Sequence, residues 1–298
     1  MTAPGGPLLA GVDAGASKTV VLVVRPAGGV VGRAEGEGAN PKRHGLAVAA
    51  GRIAELVQAA CGGAAPALAF IAGAGLDRPE HARALEAEVG RRLAGCRVLA
   101  ANDTLAVLRC GTPDGVGLAV PVSTGGNVVG RGPDGRVTDR GHGIFGGGYV
   151  MGALAARADR RGGVSPALAR AVRDAGLAWR GRRPEAAAAR LGSAVAAAAE
   201  AGDPYPAGIV DRWCGRVEAA VREEVERLGL GAAPTVVVYG GLAEASPWLA
   251  GRIRAAVLAG APGARLASLD AAPVEGAVLL ARDAWAGRLA VWDFTPRR

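Results

Sequence analysis

Short apolar runs alternate with small-residue turns along this chain, and the runs are of two kinds. Near the N-terminus three strand-like segments, Leu8–Asp13, Thr19–Val24 and Val30–Ala34, are separated by Ala14–Ser17 and by Pro26–Gly29. Turns this short between β-branched runs predict antiparallel hairpins. Apolar positions then recur at helical spacing over Gly45–Ala60 and over Pro79–Leu93. The second of these starts with a proline at an early position, where the missing N–H costs nothing. Ala67–Ala72 and Arg97–Ala101 read as buried strands, and the latter ends in Asn102-Asp103. The predicted order is β-β-β-α-β-α-β, a sheet with helices packed on it.

The pattern then restarts. Gly117–Val122, Asn127–Arg131 and Arg136–Thr138 read as strands, divided by Ser123–Gly126 and Pro133–Gly135. Val-Val-Gly-Arg occurs at 30–33 and again at 128–131. The recurrence predicts a duplicated unit with a period of about 110 residues. From Tyr149 to Leu230 the pattern is helical nearly throughout, with breaks expected at Pro166, Pro184, Pro204 and Pro206. A strand over Thr235–Tyr239 stops at Gly240-Gly241, a helix covers Pro247–Ala259, a strand covers Arg265–Leu269, and Val274–Trp285 is a closing helix. The expected division is a first domain over 1–110 and a second over 111–298, with a helical insertion over about 150–232.

Composition narrows the class. Half of the 298 residues are hydrophobic and 21% are charged, which is a globular profile with room for two cores. No apolar stretch reaches the ~20 residues of a membrane-spanning helix, and the N-terminus lacks a signal-peptide layout, so the expected location is the cytoplasm with no membrane partner. The four cysteines, Cys61, Cys96, Cys110 and Cys214, have no metal-type spacing and read as buried thiols. The net charge of +8 is spread over helix faces, and aromatics are only 4%, so no nucleic-acid partner is expected. Of 35 basic residues only Lys18 and Lys42 are lysines, and both fall in turn-like segments. A compact ammonium suits phosphate.

Four segments carry candidate chemistry. Asp13-Ala14-Gly15-Ala16-Ser17-Lys18-Thr19 is a small-residue hairpin whose backbone N–H groups can cradle phosphate, with Asp13 placed to hold Mg²⁺ through water. It is not a Walker loop, because a strand follows it. It also reads as an ordinary hairpin. Ser123-Thr124-Gly125-Gly126-Asn127 is the equivalent turn of the second unit, and a pair of such turns is more specific than either alone. Gly240 and Gly241 would let a nucleotide lie against the backbone, or form a plain strand-to-helix turn. Asn102-Asp103 ends a buried strand, where ligands of α/β sheets gather. Asp103 there suits a base taking a proton from an alcohol, or an N-cap for the helix Thr104–Arg109.

In this order the segments resemble the actin, hexokinase and heat-shock-chaperone ATPase superfamily. Within it, the resemblance is to the BadF/BadG/BcrA/BcrD-type ATPases and the N-acetylglucosamine kinases. It rests on Gly11–Thr19, Gly38-Ala39-Asn40-Pro41, Ala72–Glu80, Asn102-Asp103, Ser123–Asn127, Tyr239-Gly240-Gly241 and Pro273–Ala281. It implies a two-domain α/β fold of the actin-like, ribonuclease H-like type, built of duplicated βββαβα units with a helical insertion in the second. It implies ATP and Mg²⁺ as cofactors, Asp103 as general base, and Asp13 at the metal. It implies phosphate contacts from Gly15, Ala16, Ser17, Lys18, Thr19, Thr124, Gly125 and Gly126, and adenosine contacts from Gly240 and Gly241. Asn40, Asn102, Asp103, Asn127, Asp139, His142 and Gly146 fall where contacts to a small sugar or polyol are expected. The sequence departs from the pattern at Asp139–Gly152, where an Asp-Glu-Gly-Ser core is missing. Asp139 and His142 are candidates to replace it. The reading favoured is an amino-sugar or polyol kinase. The alternatives are an ATPase that activates a partner enzyme and a non-catalytic binding member of the fold, and a homodimer stays open.

Overall fold

A computed structural model describes residues 6–123, 125–140, 147–159, 161–179, 184–267, 269, 271–289 and 293–294, and side chains within these apart from 139–140, 176–190 and 293–294. Contacts divide the chain into two compact units. The first comprises Met1–Val116, Asp134–Val137 and Leu269–Arg298; the second comprises Gly117–Pro133 and Thr138–Ser268.

The first unit is built on a five-stranded sheet ordered β3-β2-β1-β4-β5. β1 (Leu9–Ala14), β2 (Lys18–Val24) and β3 (Val30–Glu37) form the antiparallel meander that their turns predict. β4 (Leu68–Gly73) and β5 (Arg97–Asn102) add in parallel through the helices α2 (Leu46–Ala60) and α3 (Pro79–Arg92). The all-apolar β4 is buried on both faces, as expected of a parallel strand covered on both sides. On one face Ala10, Val12 and Ala14 pack with Ile53 and Val57 of α2 and Leu85 and Val89 of α3. On the other face lie α4 (Asp103–Gly111) and the C-terminal helix α11 (Pro273–Trp285).

The join between α11 and the sheet depends on two glycines. A Cβ at Gly11 would strike the backbone of Ala277 and Val278, and one at Gly276 would strike the carbonyl of Ala106. Their bare backbones let α11 lie against β1 and α4 at once. A buried ion pair holds the same interface, since Arg109 Nε donates to Asp283 Oδ2 at 2.7 Å. α11 therefore belongs to the first unit, although it follows the whole second unit in sequence.

The second sheet is ordered β10-β9-β6-β7-β8, with the two-residue β11 (Asp293–Phe294) beside β8. β6 (Gly117–Pro121) pairs antiparallel with β7 (Val128–Arg131) and parallel with β9 (Thr235–Tyr239). β8 is Arg136–Arg140 and β10 is Arg265–Ala267. Four helices fill the long helical stretch: α5 (Gly147–Asp159), α6 (Pro166–Trp179), α7 (Pro184–Glu200) and α8 (Pro204–Arg227). Pro166, Pro184 and Pro204 each open a helix, but Pro206 does not break one. It lies in the first turn of α8, where no intrahelical N–H is lost, below the Asp203 cap. The short α9 (Gly241–Ala245) and the helix α10 (Pro247–Gly260) complete the unit.

The duplicated order is present, but the repeated Val-Val-Gly-Arg is not a marker of it. At 30–33 it lies in the third strand of its unit, and at 128–131 in the second. The short helix α1 (Pro41–His44) lies in a segment that reads as a turn.

Candidate active site

The sheet register collects the first unit's candidates on one edge. Ala14 is level with Gly73, and Gly73 is level with Asn102. The carboxyl ends of β1, β4 and β5 thus sit side by side, roughly 5 Å apart from strand to strand. Asp13 leads out of β1, Asp77 follows β4, and Asn102-Asp103 end β5. Asp13 is two residues beyond Gly11, which faces α11, so the two share a face and the Asp13 carboxylate lies on the α4 side of the sheet.

The helix after β5 is capped by Asn102. Its Oδ1 accepts the Thr104 N–H at 2.9 Å, which leaves Asp103 as the first helical residue. The N-cap role expected of Asp103 is therefore taken by its neighbour Asn102, and Asp103 stands one position further into the helix. Burial, with the charge of Asp13 next and that of Asp77 behind it, pushes the Asp103 carboxyl up to about 6, against the pull of the Thr104 N–H. Burial also raises Asp13, partly offset by the Lys18 ammonium.

The β1–β2 turn is tight: Gly15 N donates to Lys18 O at 2.9 Å. Ala16 and Ser17 form its tip, Lys18 is exposed and pairs with Glu35 at 3.0 Å, and Thr19 is buried. Among the described residues the Thr19 hydroxyl has no hydrogen-bond partner. The segment after β3 is latched to this turn, because Ala39 N donates to Gly15 O at 3.1 Å and His44 Nε2 lies 3.2 Å from Ala16 O. Asn40 caps α1 through Lys42 N at 2.9 Å. It lies over Gly75, whose φ of +86° favours glycine and where a Cβ would sit 2.6 Å from Asn40 Oδ1. Lys42 pairs with Asp77, and Asp77 Oδ1 accepts from Asn102 Nδ2 at 3.3 Å. Asp13, Gly15–Thr19, Asn40, Asn102 and Asp103 are thus gathered in one neighbourhood of the first unit. The Lys42–Asp77 link is the part that sequence reasoning passed over. Its signal was an acid just past a parallel strand, at the same edge as Asn102-Asp103.

In the second unit the small-residue turns also converge. Val122 N donates to Tyr239 O at 2.6 Å, and Leu242 N donates to Val122 O at 3.0 Å. Gly148 N, in the first turn of α5, donates to Ser123 O at 2.8 Å. The β6–β7 turn with Gly125, Gly126 and Asn127 therefore neighbours Gly240 and Gly241 at the carboxyl ends of β6 and β9. Thr124, His142 and Gly146 lie outside the described residues, as does the side chain of Asp139.

The donor set suits Mg²⁺. That ion prefers one or two carboxylates supplemented by phosphate oxygens and retained water. Asp13 offers a hard oxygen ligand beside the phosphate-type turn, and a cation there would relieve the burial that raises its pKa. Among the described residues no group of three or more His, Cys, Asp or Glu forms a protein cage for a metal.

The family model for the BadF/BadG/BcrA/BcrD ATPase family matches residues 10–281. The chain belongs to this family. Solved structures share its actin-like ATPase fold. A proposed N-acetylglucosamine kinase from Chromobacterium violaceum is 24% identical, covering 93% of this chain and 100% of its own, with a TM-score of 0.66. A second, from Porphyromonas gingivalis, is 20% identical over 93% of this chain and 99% of its own, at 0.61. A ROK family glucokinase from Streptomyces griseus, solved with glucose and AMPPNP, is 17% identical over 93% and 99%, at 0.55. Among curated proteins no sequence matches the chain. Among the described residues no helix of this BadF/BadG/BcrA/BcrD family member is long and apolar enough to cross a membrane.

Proposed function

We propose that this protein is an ATP-dependent sugar kinase. It would transfer the γ-phosphoryl group of ATP to a hydroxyl of an amino sugar, of the glucosamine or N-acetylglucosamine type, or of a related polyol. The observation that carries the reading is Asp103: a carboxylate on the first residue of α4 with a pKa raised to about 6, at the strand edge shared with the Gly15–Thr19 turn. A base poised just below neutral pH is ionised at pH 7 yet still basic enough to take a proton.

In the proposed reaction the substrate hydroxyl oxygen forms a bond to the γ-phosphorus as its proton passes to Asp103. The bond from that phosphorus to the bridging oxygen breaks, leaving ADP and a sugar phosphate. Backbone N–H groups of Gly15–Thr19 and of the Gly125–Asn127 turn would hold phosphate oxygens, and Lys18 adds a cation. Asp13 would hold Mg²⁺, which when bound neutralises charge on the transferred group. Asn40 and Asn102 would orient the sugar, and Gly240 and Gly241 would receive the adenosine. A location in the cytoplasm accords with this use of ATP.

The test is a coupled ADP-release assay with Mg-ATP against hexosamines, N-acetylhexosamines, neutral hexoses and cyclitols. Turnover on one class that vanishes in Asp103→Asn supports the kinase. Bound ATP without turnover on any compound overturns it in favour of a binding or activating member. Absence of ATP binding overturns the nucleotide assignment as well.

A further inference from the structure

Three elements that are distant in sequence meet at one carboxylate. Asp77 leaves the carboxyl end of β4, and its side chain is only 15% exposed. One oxygen pairs with the Lys42 ammonium from α1, and the other accepts Nδ2 of Asn102 at 3.3 Å. The same Asn102 amide uses its Oδ1 to cap α4 at Thr104, and Asp103 is the next residue in the chain. Both ends of the Asn102 amide are therefore committed. An amide group is nearly symmetric in shape, so the acceptor on its nitrogen side and the donor on its oxygen side together decide which way round it sits.

We propose that Asp77, locked by Lys42, is a positioning residue that fixes the Asn102 amide and through it the carboxylate of Asp103. Three observations support this role. First, Asp77 is largely buried and divides its two carboxylate oxygens between the Lys42 ammonium and the Asn102 amide, one residue before Asp103 in the chain. Second, Lys42 and Lys18 are the two lysines of a chain that otherwise uses arginine, and both hold carboxylates at this edge. Third, the network reaches the phosphate-type turn. Lys42 is held by the Asn40 cap, and His44 of the same short helix meets Ala16 O. A shift of α1 would therefore be felt both at the base and at the turn that would hold phosphate.

The proposal rests on the kinase reading, and its test separates the two. Asp77→Ala, Asp77→Asn and Lys42→Met are compared with wild type on the sugar that wild type phosphorylates. Losing the positioning should lower kcat about 10- to 100-fold in Asp77→Ala, since a misplacement of about 1 Å can cost about 100-fold. KM for ATP should stay within about threefold. Asp77→Asn keeps an oxygen acceptor for Asn102 and should recover most of the loss. A merely structural residue would lower thermal stability in both variants without this split, and an unchanged kcat in Asp77→Ala overturns the proposal. A second measurement needs no turnover: amide hydrogen exchange of Thr104 in the full chain. Asp77→Ala should speed it about tenfold or more, because a rotating Asn102 amide releases the cap, while Asp77→Asn should hold it near wild type. Unchanged protection in Asp77→Ala overturns the proposal even if wild type proves inactive on every sugar, a result that would separately sink the kinase reading.

Discussion

Replacing Asp103 with Asn should abolish phosphoryl transfer and also make the protein more stable. Burial and the nearby Asp13 raise the Asp103 pKa from 3.8 to about 6. Each unit of pKa difference between the folded and unfolded states corresponds to about 1.4 kcal/mol. A shift of about two units therefore means that the ionised carboxylate costs the folded state about 3 kcal/mol at pH 7. The sign follows from proton binding. Between about pH 4 and 6 the folded chain keeps a proton that the unfolded chain releases, so this stabilising contribution is fully present below pH 4 and is lost as the pH rises through 6. Asn at this position does not titrate. The stability gap between variant and wild type should open from near zero at about pH 4 to about 2–3 kcal/mol at pH 7. Urea unfolding of both proteins at pH 4, 5, 6 and 7 measures the gap. Over the same series, sugar-dependent ADP release in the variant should be lower by about 100- to 10,000-fold. A gap that does not change with pH, or a variant less stable than wild type at pH 7, would refute the electrostatic account of Asp103.

The remaining predictions touch the same frame. The kcat/KM of wild type should fall about tenfold per pH unit below about pH 6, as Asp103 takes up its proton; a flat profile down to pH 5 would exclude Asp103 as the base. Lys18→Met removes an exposed pair with Glu35 and the ammonium that partly offsets the raised pKa of Asp13, so Tm should change little, while KM for ATP rises several-fold and loses part of its salt dependence. Asp283→Ala strands the buried Arg109 guanidinium between α4 and α11 and should cost about 3–5 kcal/mol in denaturant unfolding. Gly276→Ala forces a methyl group into the Ala106 carbonyl and should lower Tm or block soluble expression, with any surviving protein showing weakened packing of α11.

Much of the site was legible because local rules dictate it. β-Branched runs broken by two- to four-residue turns specify a meander, and alternation between strand and helical periods specifies parallel strands that end on one edge. That alone puts Asp13, the Gly15–Thr19 turn and Asn102-Asp103 at strand ends; the β1-β4-β5 order is what makes them neighbours. The boundaries of α1 and the role of Pro206 were less accessible. A four-residue helix has too few positions for a period, and a proline in a first turn looks like a proline that ends a helix.

The sequence by itself determined the two meanders, the helices, and the candidate residues at the ends of the strands, because hydrophobic period, turn chemistry and proline placement act within a few residues of each other. Only the tertiary structure decided that α11 returns to the first sheet over Gly11 and Gly276, that Asn102 rather than Asp103 caps α4, and that Lys42 reaches Asp77. Each of these depends on which backbones approach closely enough to touch. That approach is set by packing between segments tens to hundreds of residues apart, where no local pattern carries the information.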